Sequence, residues 1–344
     1  MTFRLSLAIF ITMKYLLFTC VSAIVALSLN GCRKNTPISN GTDTTGGGNA
    51  SVYIAGFDNG NIVYWKDGKE NELGTAAPGY YGNALGIAIM GGDVYVAGFV
   101  GDTAVYWKNG VEKYLSNPDS GTAAATAIAT SATDIYVAGY GQTNSGGYYA
   151  GNSVLYWKND LRTIVATSSN VVTAVSIAVS GSDVYIAATI GNDTAAYWKN
   201  GIRTTLGSHY SYAYGIAVSG GDVYVVGVDN GAPVYWKNGI RVALPYTKLA
   251  ACYSIAISGT DVYISGVDNG NAVYWKNGTE NSLGEGAANA ITTVGKDVYV
   301  TGSAYASQAN YAGYWKNGNL VSFVGSPPGT QSTEQGNAIA VVTH

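Results

Sequence analysis

Few side chains in this chain could carry reaction chemistry, and their spacing argues against most of it. The only histidines are His209 and His344. Nucleophilic catalysis needs an imidazole in reach of a nucleophile and an orienting acid, and neither histidine sits in such a pattern. The cysteines, Cys20, Cys32 and Cys252, do not have zinc-ligand spacing, and no glycine loop precedes a Lys-Ser or Lys-Thr pair that would cradle phosphate. Glu70, Glu72, Glu112, Glu280, Glu285 and Glu334 are the only glutamates, a thin supply for an acid and base pair. Asp58-Asn59-Gly60-Asn61, Asp229-Asn230-Gly231 and Asp268-Asn269-Gly270-Asn271 gather oxygen atoms. They lack the bidentate Glu that closes a calcium loop and read instead as hairpin turns. The expectation is a protein with no catalytic residues, no cofactor and no metal.

Aromatic chemistry is the richer possibility. Trp65, Trp107, Trp157, Trp198, Trp236, Trp275 and Trp315 each stand in a Tyr-Trp-Lys tripeptide. Seven exposed indoles would make seven sugar platforms. Packing is the stronger reading, because a Trp alternating with Val on a strand fills the gap between stacked sheets while the lysine stem covers apolar surface.

The elements that position these residues follow from the spacing of about forty residues. Each copy divides into four short strands, A to D. Strand A carries Ile-Ala, strand B opens on Asp, strand C carries Tyr-Trp-Lys, and strand D is short and variable. Asn109-Gly110, Asn200-Gly201, Asn238-Gly239, Asn277-Gly278, Asn317-Gly318 and Asp67-Gly68 accept the positive φ of a type I′ turn and make C and D tight hairpins. Ile87, Ile128, Ile177, Ile216, Ile255 and Ile291 precede Asp93, Asp134, Asp183, Asp222, Asp261 and Asp297 by six positions each. Those aspartates read as turn formers accepting backbone N–H groups.

Radial repetition of four-stranded antiparallel units predicts an all-β fold, a seven-bladed β-propeller. The small residues before the isoleucines, Gly86, Ala127, Ser176, Gly215, Ser254 and Ala290, with Ala338 in the last copy, suit a crowded axis and place strand A innermost. The repeat begins at strand B, Ser51 to Ile54, and ends after strand A, Asn337 to Val341. The C-terminal strand is therefore expected to be the innermost strand of the first blade and to close the ring.

One rim then carries the uniform A to B and C to D turns, and the other carries all the length variation. Candidate ligand-binding residues fall on the variable rim: Tyr80, Tyr81, Tyr148, Tyr149, His209, Tyr210, Tyr212, Tyr246, Tyr305 and Tyr311. A rigid scaffold bearing variable, tyrosine-rich loops is a common way to mount a binding site.

The N-terminal segment is apolar from Leu16 to Leu29 and ends in Leu29-Asn30-Gly31-Cys32. It reads as a signal peptide, 1–31, with Met13 as an alternative start. Leu29 to Cys32 resembles the lipobox of bacterial lipoproteins, with Asn30 departing from the usual small or apolar residue. The resemblance implies cleavage before Cys32 and a diacylglycerol on its thiol. Residues 32–50, rich in Asn, Thr, Ser and Gly, form the lipidated end and a flexible tether, and 51–344 form the propeller. Arg33, standing where inner-membrane lipoproteins often have Asp, implies the outer membrane by the same analogy.

Net charge is −3 and 11% of residues are charged, which gives no basic field for nucleic acid. Residues 51–344 look like the β-propeller repeat superfamily. Their Val-Tyr-Val-Ala-Gly and Tyr-Trp-Lys-Asn-Gly phrases are similar to repeats of uncharacterised exported bacterial proteins, and lack the WD40 and kelch signatures. The expectation is a monomeric, lipid-anchored cell-envelope scaffold, not an enzyme, binding a glycan or an envelope protein. A polysaccharide-active propeller enzyme and a structural subunit of an envelope complex are the alternatives.

Overall fold

The computed structural model describes residues 50–75, 81–115, 121–141, 151–191, 193–306, 309–322 and 334–344. Among them it is all-β, without a helix. In chain order the strands are β1 (Ala50–Asp58), β2 (Asn61–Lys66), β3 (Lys69–Thr75), β4 (Gly82–Met90), β5 (Asp93–Val100), β6 (Thr103–Lys108), β7 (Val111–Tyr114), β8 (Ala123–Thr130), β9 (Ile135–Gly141) and β10 (Gly151–Lys158). They continue with β11 (Leu161–Ser180), β12 (Asp183–Ile190), β13 (Thr194–Lys199), β14 (Ile202–Thr205), β15 (Ser211–Ser219), β16 (Asp222–Asp229), β17 (Ala232–Lys237) and β18 (Ile240–Ala243). The last are β19 (Ala250–Ser258), β20 (Asp261–Asp268), β21 (Asn271–Lys276), β22 (Thr279–Val294), β23 (Asp297–Ala306), β24 (Ala309–Lys316), β25 (Asn319–Ser322) and β26 (Gln335–Thr343).

The strands pair antiparallel in sets of four. β4 to β7 and β15 to β18 form separate four-stranded sheets, and β26, β1, β2 and β3 form another in that order. β11 and β22 each serve as strand D of one set and strand A of the next, so β8 to β14 and β19 to β25 are linked seven-strand runs. In the third repeat β10 begins at Gly151, which pairs with Val172 of β11. In the seventh, Tyr305 pairs with Asn310 and Ala304 with Tyr311. The insertion there lengthens a hairpin on both sides, so Tyr305 and Tyr311 stand on strands rather than on an open loop.

The chain ends meet as their registers require. β26 pairs with β1 from Ala50 opposite Thr343 to Phe57 opposite Gln335, and Ser51 Oγ lies 2.9 Å from His344 Nε2. Strand A of each set packs on strand A of the next: β26 touches β4, β4 touches β8, β8 touches β11, and the succession runs through β15, β19 and β22 back to β26. All seven indoles are buried between sets, none more than 3% exposed. Two of them also donate across the gap, Trp275 Nε1 to Pro245 O at 2.9 Å and Trp315 Nε1 to Leu283 O at 3.1 Å.

Every strand A carries a β-bulge at the same place. The register with strand B slips between Ala84 and Gly86, Ala125 and Ala127, Ala213 and Gly215, Cys252 and Ser254, and Ala288 and Ala290. It slips likewise opposite Ala55 and Gly56 in the first set and between Thr173 and Ser176 in the fourth. A bulge leaves one residue unpaired and re-aims it. Here several of the freed residues reach the neighbouring set. Thr126 Oγ1 donates to Val175 O at 2.6 Å, Asn289 Nδ2 to Gly336 O at 2.9 Å and Asn337 Nδ2 to Ala84 O at 2.9 Å. Beside them the small residues are needed: a Cβ on Gly86 would lie 3.0 Å from Ile128 N, and one on Gly215 would lie 2.9 Å from Tyr253 O.

Candidate functional site

One rim is built from a four-residue clasp repeated from set to set. In the second set Asp93 opens β5, and its Oδ1 accepts from Asn109 Nδ2 at 2.7 Å while Oδ2 lies 2.8 Å from Lys108 Nζ. Asn109, at φ +50° in the C to D turn, accepts on its Oδ1 from Val94 N–H at 2.8 Å. The Lys108 ammonium sits 5.4 Å from the centre of the Tyr95 ring. Asp134, Asp183, Asp222 and Asp261 repeat the arrangement with Lys158, Lys199, Lys237 and Lys276 at 2.8–3.0 Å. Asp297 does so more loosely, 3.8 Å from Lys316. The aspartates therefore do not accept the backbone N–H groups expected of turn formers; the turn asparagines take that bond, because their amide can serve backbone and carboxylate at once. Lysine ammonium and asparagine amide hold the carboxyls of Asp93, Asp134, Asp183 and Asp222 below the usual carboxylate range, with the asparagine the larger influence at Asp261. The clasp is a structural device, its charges compensated within each set.

The opposite rim differs from set to set. Its loops are pinned by backbone hydrogen bonds: Gly101 N donates to Tyr81 O at 2.8 Å, Asn230 N to Tyr210 O at 3.0 Å and Asn269 N to Leu249 O at 2.8 Å. These three acceptors occupy one structural position, the residue before strand A, and all three side chains are exposed. Tyr210 has φ +63°, a left-handed conformation in which a bulky side chain is uncommon and costs about 1–2 kcal/mol. Its ring is 57% exposed, and His209 lies beside it at 6.4 Å between ring centres.

From Tyr210 an aromatic row runs inward along β15. Tyr212 is half-buried, its hydroxyl pushed up to about 12 by burial and then by Asp193, with Tyr210 also adjacent. The rings of Tyr212 and Tyr214 stack at 6.3 Å and 6°, and Tyr214 meets Tyr253 edge-on at 6.0 Å. Tyr214 and Tyr253 are the residues freed by the bulges of β15 and β19. Tyr246 is exposed on the next loop.

No protein-family model and no curated protein matches the chain. Among solved structures it is similar to the computationally designed Ika8 protein, at 18% identity over 72% of this chain and 76% of that one, with a TM-score of 0.46. A likeness that loose carries no argument about function.

The residues expected from sequence are thus partly brought together. His209, Tyr210 and Tyr212 lie together, while Tyr246 is exposed on the following loop and Tyr81 on the second set. Cys32, Tyr80, Tyr148 and Tyr149 lie outside the described residues, as do the side chains of Tyr305 and Tyr311. Sequence reasoning passed over Leu249, Tyr214 and Tyr253. Leu249 was findable, since it stands five residues before Ser254, as Tyr81 stands five before Gly86 and Tyr210 five before Gly215.

Two further features were not foreseen. Glu70 and Asp58 share a hydrogen bond near Glu334, and burial and then Asp58 hold the Glu70 carboxyl above its ordinary value. Burial and Asp268 do the same for Glu280. In the fifth set the equivalent partners are Asp229 and Arg241, an ion pair at 2.6 Å. On the clasp rim, adjoining clefts of about 520 and 310 Å³ open between the third and fourth sets, sharing Tyr136, Lys158 and Ser182. The turn there is Ser131-Ala132-Thr133, without the glycine of the other A to B turns, and Ser131 Oγ accepts from Asp134 N at 3.2 Å.

Proposed function

We propose that the seven four-stranded sets are blades of a closed seven-bladed propeller, anchored to the outer membrane through a lipid on Cys32, and that its tyrosine-bearing rim binds a glycan without transforming it. Support for the closed ring comes from the unbroken succession of strand A contacts, which returns from β22 to β26 and on to β4. Support for the anchor comes from Leu29-Asn30-Gly31-Cys32 and the polar stretch after it.

The observation that carries the binding reading is Tyr210. An exposed tyrosine held in left-handed backbone by its own carbonyl bond spends stability that a glycine would save, and strain of this kind is retained where a side chain must be presented. The row from His209 to Tyr253 offers ring faces for the C–H face of a sugar and hydroxyl ends for its polar groups.

A glycan array with the chain from Ala50 tests it, beside Tyr210→Gly and Tyr210→Ala. The expected result is retained or increased thermal stability for Tyr210→Gly together with loss of binding. Undiminished binding by both variants would remove the site from this rim, and capture of an envelope protein instead of a sugar would change the ligand class.

A further inference from the structure

Strand D of each set begins directly after the C to D turn, and the residue there stands on the clasp rim. In the second to fifth sets it is Val111, Leu161, Ile202 and Ile240, exposed by 65, 77, 76 and 72%. In the first, sixth and seventh sets it is Lys69, Thr279 and Asn319. Four consecutive sets therefore present a large apolar tip at one structural position, and the remaining three present a polar one. Packing does not require this, because the polar residues serve the same hairpin equally well.

The chain reaches the domain at this same rim. β1 is a strand B, which starts where the A to B turns lie, and Ala50 pairs with Thr343 at the end of strand A. The first C to D turn closes on that point, with Val52 N donating to Asp67 Oδ1 at 2.8 Å. Between Cys32 and Ala50 stand 17 residues. Strands of eight residues separate the two rims by roughly 26 Å. The segment that follows Cys32 thus enters the domain on the clasp side and not at the tyrosine rim.

We infer that the apolar arc of Val111, Leu161, Ile202 and Ile240 rests in the headgroup layer of the bilayer that holds the anchor, so that the tyrosine rim faces away from the membrane. The inference rests on the lipid-anchor reading. Large apolar side chains exposed on the rim where the anchored chain enters are what an interfacial contact uses.

The test uses the full, processed chain reconstituted in vesicles of phosphatidylethanolamine and phosphatidylglycerol that contain headgroup-quencher lipid. Ile202→Cys and Tyr81→Cys are labelled separately with an environment-sensitive dye. Cys252 is fully buried, its Sγ donating to Gly227 O at 2.8 Å, and does not take the label. Quenching about threefold stronger at position 202 than at 81 is expected, falling to the level of position 81 when Val111, Leu161 and Ile240 are changed to Ser. All are surface positions, so the fold tolerates the change. Mass of the N-terminal peptide decides the anchor separately. An unlipidated peptide overturns the anchor and the docking with it. A lipidated peptide with position 202 unquenched, or with 81 quenched more, overturns the docking alone.

Discussion

Changing Gly227 to Ala tests whether the bulges dictate the repeated glycine of strand B. Gly56, Gly98, Gly139, Gly227, Gly266 and Gly302 each stand where a Cβ would fall within about 2 Å of a strand A carbonyl oxygen; at Gly227 the oxygen is Tyr212 O, at 1.8 Å, with Tyr212 C at 2.8 Å. The bulge pushes that carbonyl into the place a side chain would take. Ordinary C···O contacts lie near 3.3 Å, so β15 or β16 would have to move by more than 1 Å within a packed stack. Overpacking of this kind costs about 1–3 kcal/mol and occasionally more, against about 0.5–1 kcal/mol recovered by replacing glycine in a strand. A net loss of about 1 kcal/mol follows, and more where overpacking exceeds that range. Urea unfolding read by tryptophan fluorescence is the assay, because all seven indoles are buried between sets. The fourth set supplies the control. Ala188 replaces the glycine there, and there the register slips over a wider interval, Thr173 to Ser176. Ala188→Gly should also destabilise, by about 1 kcal/mol, through lost methyl burial and added chain entropy. Gly227→Ala with an unchanged or higher urea midpoint would refute the carbonyl argument.

The clasp aspartates predict an acid limit. Asp93, Asp134, Asp183, Asp222 and Asp261 have folded pKa values lowered from their unfolded ones, so their contribution is present above the unfolded value of about 3.9 and is lost as pH falls through the folded one; the urea midpoint should drop below about pH 4, less steeply in Asp183→Asn. Glu70 has the opposite sign. Its pKa is raised by burial and Asp58, so what it contributes is present below the unfolded value of about 4.3 and lost as pH rises through the folded one; Glu70→Gln should be more stable than the parent at pH 7 and equal to it near pH 4. A chain ending before Gln335 loses β26 and all its pairing with β1. It should melt broadly and non-cooperatively, and a single sharp transition would oppose ring closure.

Much of this was legible because each repeat obeys local chemistry. The Asn-Gly turns, the strand-opening aspartates and the alternation around each Trp name their own strands, and Ser51 and Asn337 name the pairing of the chain ends. The bulges were not legible, since a bulge needs no special residue where it occurs. Its trace is the glycine on the other strand, five residues after the strand-opening Asp, and only the partner carbonyl explains it. The clasp was hidden for a related reason: Asp93 and Lys108 are fifteen residues apart and become a pair only when β5 and β6 align. The aromatic row needed the bulges too, because Tyr214 and Tyr253 would otherwise point between sheets. Tyr305 and Tyr311 were read as loop residues because an insertion in sequence does not distinguish a loop from a longer hairpin.

The first repeat explains why one clasp departs from the others. Elsewhere an A to B turn delivers the aspartate, and the turn asparagine binds both it and the backbone. In the first repeat strands A and B come from opposite ends of the chain, so there is no turn to deliver anything. Ser51 stands in the aspartate position and bonds to His344, the residue after the other strand. The carboxylate has moved to Asp67, in the asparagine position, where its Oδ1 still accepts from Val52 N at 2.8 Å and its own N–H still donates to Val52 O at 2.9 Å. Lys66 keeps its place 5.2 Å from the Tyr53 ring. Backbone bonds and cation–ring contact are thus preserved while the Asp–Lys ion pair is not. Exposed ion pairs of this kind contribute little, whereas the turn geometry sets the register of every strand that follows. The repeat keeps the part of the clasp that aligns β1 with β2 and gives up the part that the other sets have in addition.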